Sequence, residues 1–503
     1  MQDYFLVFDA GTQSVKVAVY DEQLQCVAKA SHQTTLVYPE IGWVQMDADE
    51  YLSLVKQGIL NCVEQLKQQN IQPEAVKMIM GDGIICGIVG INQAGKAITP
   101  YINYLDSRTK ADADSLNEGN YAIWQQETGN PEPLCMFPAM HARWLLSHNT
   151  AFKQSGVKFV HNAPYILMNL AGLAAEDAFI DWGTMSGWGL GYKVYKKEWS
   201  REQLAILGIK ESYMPRIVKP WDIIGKLSAE CAQDTGLLEG TPICAGAGDT
   251  MQSMLGCGIY EANRAVDVAG TCAMFCVSTK GIVPELSKPG SGLIFNSGTL
   301  ENTYFYWGFV RTGGLALRWF KDNVCDKSAD DSYYQKLSTR AKEVKPGCDG
   351  VTFLPYLTGG HSEYASVKGA FLNLTMATDQ ATLWRAVLEA IAYDYKDVTD
   401  TYRHAGIEIK QITVTEGGSR DALWNQIKAD VMATEVVTYA DSGGAVLMNA
   451  LIAAYAAENI NDLRAILEQK LAQLAIYKPD RQMTQLYKAQ ALLQKSLLAR
   501  LQG

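Results

Sequence analysis

The sequence predicts an α/β protein of two domains, and three observations carry that reading. The triplet Ala-Gly-Thr occurs twice, each time directly after a strand-like apolar run: Phe5-Leu6-Val7-Phe8-Asp9-Ala10-Gly11-Thr12 and Ala265-Val266-Asp267-Val268-Ala269-Gly270-Thr271. Short strand-like runs alternate with helical patterns through both halves, as mixed α/β folds require. The chain's 503 residues exceed what one hydrophobic core serves. Two matching turns half a chain apart suggest a duplication, with domains over 1–255 and 256–503.

The elements follow in order. Tyr4–Asp9 and Val15–Tyr20 read as strands flanking the first Gly turn. Lys77–Met80 and Gly87–Ile91 are strand pieces around a glycine-rich stretch. Apolar residues at helical spacing predict helices over Ala48–Gln69 and Ala139–Leu146. Pro242–Ala245 is a short buried strand entering Gly246-Ala247-Gly248-Asp249, and Thr250–Leu255 is helical. The second half restarts with Ala265–Val268, the Gly270 turn and Met274–Ser278. Thr382–Val398 is a long helix. Gln411–Thr415 is a strand that leads through Glu416-Gly417-Gly418-Ser419 into a helix from Asp421 to Met432. Gly443-Gly444 opens an Ala-rich helix through Ala457, and the tail from Asp462 is helical and polar.

Composition narrows the function. Hydrophobic content of 48% with 19% charged residues fits a packed enzyme. A net charge of −10 disfavours a nucleic-acid or anionic-membrane partner. No apolar run of about 18 residues predicts a membrane span, and no secretory signal opens the sequence. The 11 cysteines are scattered, odd in number and without metal spacing. They read as reduced, mostly buried thiols of a cytoplasmic protein. The sequence leaves room for a homodimer.

A glycine after a strand lets backbone N–H groups approach a phosphate closely. In the first turn, Gly11 sits among the hydroxyls of Thr12 and Ser14, and Lys16 adds positive charge. Asp9 at the strand end would repel a phosphate unless a cation lay between them, which suits Mg²⁺. A hairpin turn with a solvated Asp is the plain alternative. The second turn has Val268 at the matching place, and Asp267 should face the other side of its strand. Asp249, at a helix start after small residues, reads either as an N-cap or as a carboxylate that takes a proton from an alcohol during phosphoryl transfer.

Taken in order, Asp9–Lys16, Gly246–Asp249, Gly270-Thr271, Gly308–Trp319 and Gly417–Asp430 resemble the FGGY family of carbohydrate kinases. The resemblance spans essentially the whole chain. It implies two actin-like (ribonuclease H-like) domains flanking a catalytic cleft, with sugar bound by the first and nucleotide mainly by the second. It implies ATP-dependent phosphorylation of a sugar or polyol, with Asp249 as catalytic base and Asp9 and Asp249 near the Mg²⁺ of Mg-ATP. It places Gly11, Thr12, Gln13, Ser14 and Lys16 on the first phosphate loop and Gly270 and Thr271 on the second. Gly314, Gly417, Gly418, Ser419 and Asp421 fall on the nucleotide side.

The substrate segments implied by the resemblance depart from it. Xylulose kinases have a stretch like Gly-Gln-Met-His-Gly, where this chain has Gly83-Ile84-Ile85-Cys86-Gly87. A Trp-Asn-Asp stretch is here Tyr104-Leu105-Asp106, and His141 stands at a lysine position. Ile85, Cys86, Tyr104 and Asp106 are therefore the substrate candidates, together with Asp249. Cys86 reads as a packed thiol, and Asp106 with Arg108 as either an ion pair or sugar contacts. Loss of hydroxyl-binding groups predicts a changed specificity. The alternative is a nucleotide-switched or degenerate sugar-binding regulator on the same fold, against which the intact Asp9, Asp249 and both turns argue.

Overall fold

The computed structural model describes residues 2–119, 121–270, 273–310, 313–325, 327–328, 330, 332–357, 367–439, 444–470 and 473–502. The chain forms two compact units. The first holds 1–256, 280–305 and 443–470, and the second holds 257–279, 306–442 and 471–503. Residues 280–305 and 443–470 thus come from the second half of the sequence but fold into the first unit.

The first unit is built on a mixed sheet. Its strands are β1 (Tyr4–Ala10), β2 (Ser14–Asp21), β3 (Cys26–Gln33), β4 (Val76–Gly83), β5 (Ile223–Lys226) and β6 (Pro242–Cys244), in the spatial order β5-β6-β4-β1-β2-β3. β1 pairs antiparallel with β2 and parallel with β4. Every residue of β1 except Asp9 is buried, as expected for a strand covered on both faces. The helix Ala48–Gln68 begins where the Asp47 carboxylate accepts from Asp49 N and Glu50 N, a regular N-cap. It buries Tyr51, Val55, Ile59, Cys62 and Leu66 at helical spacing. Gly58 lets it lie close to the sheet, since a Cβ there would meet Val17 Cγ2 at 2.4 Å. The helix Gly444–Ala456 is apolar nearly all round and accordingly buried. It packs on β1 and β4 and against the helix Asp249–Gly256.

The second unit repeats the order. Its strands are β7 (Arg264–Val268), β8 (Ala273–Thr279), β9 (Tyr304–Val310, in this unit from Tyr306 on), β10 (Gln411–Thr415), β11 (Glu435–Tyr439) and β12 (Gln473–Tyr477), arranged β9-β8-β7-β10-β11-β12. β7 pairs antiparallel with β8 and parallel with β10, β10 is parallel to β11, and β11 is antiparallel to β12. The same relations link β1, β2, β4, β6 and β5 of the first unit. The two sheets therefore share these strand pairings and differ at the edge, where β5 precedes β6 in the chain but β12 follows β11; the shared pairings are the duplication that the repeated turns suggest.

Most expected elements form close to their expected bounds; the tail from Asp462, expected to be helical, instead carries the strand β12 (Gln473–Tyr477) between the helices Leu463–Lys470 and Arg481–Gln502, because β12 pairs with β11 as an edge strand. Ala139–Leu146 extends to Pro138–His148, and Thr250–Leu255 to Asp249–Gly256. The Ala-rich helix runs Gly444–Ala456, while Gly443 lies outside the described residues. The cysteines are free thiols among the described residues, most of them buried. Among the same residues no helix is long and apolar enough to cross a membrane.

Candidate active site

In the first unit, the turn between β1 and β2 is held from several sides. Gly11 N donates to Ser14 O at 3.1 Å, which closes the turn. A Cβ on Gly11 would stand 3.3 Å from Ser14 O and 3.6 Å from Asp9 Oδ1. Tyr51 Oη donates to Gly11 O at 3.0 Å, Asn162 Nδ2 to Ala10 O at 3.0 Å, and Thr34 Oγ1 to Thr12 O at 2.6 Å. Apart from the Gly11 N–H that closes the turn, these bonds use carbonyl oxygens and leave the Thr12 and Gln13 N–H groups and the loop's hydroxyls for a ligand. Gln13 is exposed, and Thr12 and Ser14 are half-buried. Lys16 Nζ lies 3.3 Å from Asp9 Oδ2, with a side chain 57% exposed.

Asp249 is the first residue of its helix. Its Oδ1 accepts from Thr250 N at 2.6 Å and from Thr250 Oγ1 at 3.2 Å. Burial, then the charge of Asp9, push its pKa up to about 7. An unperturbed Asp is fully ionised at neutral pH. The structure instead raises the pKa of Asp249 toward neutrality, because desolvation disfavours the charged form. A carboxyl raised toward the working pH suits a general base.

A third acid completes this corner, and sequence reasoning missed it. Asp82 is the residue of β4 registered beside Asp9 of β1, and it is fully buried. Neither of its carboxylate oxygens makes a hydrogen bond of good geometry, though the side chains of Asn449 and Asp9 lie beside it. Burial, Asp9 and Asp249 hold its pKa well above the usual carboxylate range. The signal was available: a carboxylate at the C-terminal end of a parallel strand, one residue before Gly83. Ligands of open α/β sheets collect at those strand ends.

The substrate candidates divide. Ile85 presses against this corner, since a Cβ on Gly248 would meet Ile85 Cγ2 at 2.2 Å. Cys86 is buried, its Sγ donates to Gly187 O at 3.6 Å, and burial raises its thiol to about 12. It is a packed, protonated thiol. Tyr104 is partly buried against the core. Asp106 is engaged on both oxygens. Its Oδ2 accepts from Val44 N at 2.6 Å and Arg108 Nη2 at 2.7 Å, and its Oδ1 accepts from Arg108 N and Nε at 2.9 Å each. Arg108 stacks 3.8 Å over Trp43. Of the two readings of this pair, the geometry matches the ion pair. His141 is buried and pulled down to about 4, so it is neutral.

In the second unit, the nucleotide candidates gather around the end of β7. Gly270 N donates to Val268 O at 2.9 Å, Gly314 N to Gly270 O at 3.0 Å, and Gly418 N to Ala269 O at 3.2 Å. Gly418 must be glycine, because a Cβ would meet Ala269 Cβ at 2.3 Å. Gly314 lies in the first turn of the helix Gly313–Phe320, whose N-terminal N–H groups suit an anion. Glu416 carries φ of 57° at the start of the next turn. Gly417 faces open space there, and Ser419 turns its hydroxyl back onto Glu416 O. Asp421 is an N-cap, accepting from Trp424 N at 3.0 Å, and also accepts from Ser338 Oγ at 2.5 Å. Thr271 lies outside the described residues.

Two family models cover this geometry. The N-terminal domain of the FGGY carbohydrate kinases matches residues 4–256, and the C-terminal domain matches 265–457. The chain belongs to the FGGY family of carbohydrate kinases. As a member it is an ATP-dependent carbohydrate kinase. Among curated relatives, a xylulose kinase from Bacillus subtilis is 23% identical over 498 residues, covering 98% of this chain and 96% of the relative. A gluconokinase from the same organism is 24% identical over 478 residues, covering 93% and 90%. The fold is also that of a glycerol kinase from Plasmodium falciparum solved with ADP (TM-score 0.87, 19% identity, 99% and 98% covered).

Proposed function

We propose that this FGGY kinase transfers the γ-phosphate of ATP to a hydroxyl held by Asp249, on a small polyol or ketose that makes fewer polar contacts than xylulose. The observation that carries the reading is Asp249 itself. It begins a helix after two small residues, lies within the field of Asp9, and is raised to about 7 by burial. A carboxylate in that state orients an alcohol and accepts its proton as the bond to phosphorus forms. The turn at Gly11–Ser14 offers the Thr12 and Gln13 N–H groups and the loop's hydroxyls to phosphate oxygens, the N-terminus of the helix Gly313–Phe320 adds donors beside Gly270, and the Gly417-Gly418 turn offers a flat backbone surface to the nucleoside.

A magnesium ion fits the donors of the first unit. Asp9 and Asp249 are hard oxygen ligands, and the buried Asp82 stands behind them with its pKa raised, as a protonated carboxyl. Among the described residues no three acidic, His or Cys side chains close into a cage for a bare ion. That suits Mg²⁺, which keeps several waters and shares phosphate oxygens. When bound with ATP, the ion would neutralise charge on the phosphates. Asp9 and Asp249 would hold it, while Asp249 retains the role of orienting the hydroxyl.

The acceptor reading rests on Ile84, Ile85 and Cys86, all buried and without a polar group free for a sugar hydroxyl. It also fits relatives named for xylulose, gluconate and glycerol, whose acceptors differ widely in polarity. The test is ADP release with Mg-ATP across ketopentoses, ketohexoses, pentitols, tetritols, gluconate, glycerol and deoxy sugars. We expect stimulation by a deoxy sugar or short polyol above that by xylulose. Asp249→Asn should lose about 10²–10⁴-fold in turnover and still bind ATP. Stimulation by no acceptor, or near-normal turnover in Asp249→Asn, would sink the assignment.

A further inference from the structure

One polar side chain interrupts the apolar helix Gly444–Ala456 where it packs on β1 and β4. Asn449 is fully buried, and a mid-helix asparagine in an apolar setting is costly unless both ends of its amide are bonded. Both are. Asn449 Nδ2 donates to the Phe8 carbonyl at 3.0 Å, and Asn449 Oδ1 accepts from Gln252 Nε2 at 2.7 Å. Gln252 is fully buried as well, and its Oε1 accepts from Thr299 Oγ1 at 2.8 Å. Phe8 is the residue before Asp9. Gln252 lies one helical turn after Asp249. An unbroken run of buried amides therefore joins the backbone that carries Asp9 to the helix that carries Asp249.

We propose that Asn449 and Gln252 are positioning residues that fix Asp9 and Asp249 relative to each other for phosphoryl transfer. The inference rests on the reading of Asp249 as the base. A side-chain amide has a fixed span and a directional donor and acceptor, so it sets a distance that apolar packing leaves adjustable. Phosphoryl transfer depends almost wholly on such placement, and a displacement of about 1 Å costs on the order of 10²-fold.

The test compares Asn449→Ala, Gln252→Leu, their double variant, Leu451→Ala and Asp249→Asn in the full chain. Leu451 is fully buried in the same helix and makes no part of the amide run. Asn449→Ala should lower kcat by about tenfold to a hundredfold, with KM for ATP and acceptor within about twofold. Gln252→Leu keeps the side-chain volume, removes both bonds and should do the same. The double variant should lose no more than the larger single loss, since both break one connection. Leu451→Ala should lower Tm at least as far and leave kcat unchanged. Wild-type kcat in Asn449→Ala, additive losses, or a kcat loss in Leu451→Ala in proportion to its Tm would overturn the proposal. Should Asn449→Ala not fold, Gln252→Leu alone decides by the same kcat criterion. An active Asp249→Asn would defeat the base assignment instead, whereas an inactive Asp249→Asn beside an unimpaired Asn449→Ala defeats only this inference.

Discussion

At the end of β1, the parallel pairing to β4 sets Asp9 beside Asp82. At the corresponding end of β7, the parallel pairing to β10 sets Val268 beside Thr415. The second unit does carry an acid, one residue earlier. Asp267 faces the opposite side of β7, as strand alternation requires. There Lys428 Nζ meets it at 2.5 Å and Tyr395 Oη donates to it at 2.5 Å, all fully buried. Lys428 also lies 3.6 Å over the Trp424 ring. So the two sheets share their central strand pairings and treat negative charge in opposite ways. The second unit neutralises its acid internally, and that charge is structural. The first keeps Asp82 as a buried, protonated carboxyl and leaves Asp9 with only an exposed lysine, a weak compensation. Uncompensated buried charge is costly, and it is tolerated where a ligand supplies the missing cation.

The largest effect should come from breaking the neutralised side. Lys428→Met leaves Asp267 buried without its cation and should cost roughly 3–5 kcal/mol in stability, read by urea denaturation. A loss below about 1 kcal/mol would mean that Tyr395 alone suffices, and the contrast between the units would fail.

The uncompensated side should show itself next in the pH dependence of catalysis. With Asp249 at about 7, the deprotonated base grows as pH rises through neutrality. kcat/KM should increase about tenfold between pH 6 and pH 8 and then level off. A flat profile over that range would place the base in an ordinary, solvated environment.

Asp82 offers a smaller effect of distinct sign. Its carboxyl keeps a proton in the folded chain that an unfolded chain gives up near the usual 3.8. The stability it lends is complete below that value and is lost as pH rises toward the raised one. Asp82→Asn avoids that loss. It should match the parent at pH 4 and exceed it at pH 8, by on the order of 1 kcal/mol. A variant less stable than the parent at pH 8 would mean that Asp82 is compensated after all.

How far the sequence reveals all this depends on the range of each interaction. Strands such as Tyr4–Ala10 and the Gly11 and Gly270 turns are legible because period, apolar content and glycine are local signals. The helix at Asp249 is legible for the same reason. Asp82 is not, because its meaning comes from a register with β1, far away in sequence. Asn449 is hidden in the same way inside an alanine-rich helix, its partners Phe8 and Gln252 lying far upstream. The pair Asp106 and Arg108 could be read two ways until Val44 N was seen to take part. The raised pKa of Asp249 required burial, which the motif does not state.

The smallest expected effect separates backbone need from ligand contact in the second unit's turn. A Cβ on Gly418 collides with Ala269, while one on Gly417 meets nothing within 4 Å. Gly418→Ala must shift β7 or its own turn, so it tests packing alone. Gly417→Ala should change stability by less than about 0.5 kcal/mol, since its side chain enters open space and its φ lies outside the left-handed region. If that open space is where the nucleoside lies against the backbone, the same methyl group should raise KM for ATP severalfold at unchanged Tm and kcat. An unaltered KM for ATP would move the nucleoside away from Gly417 and leave the turn at the end of β10 with a structural role only.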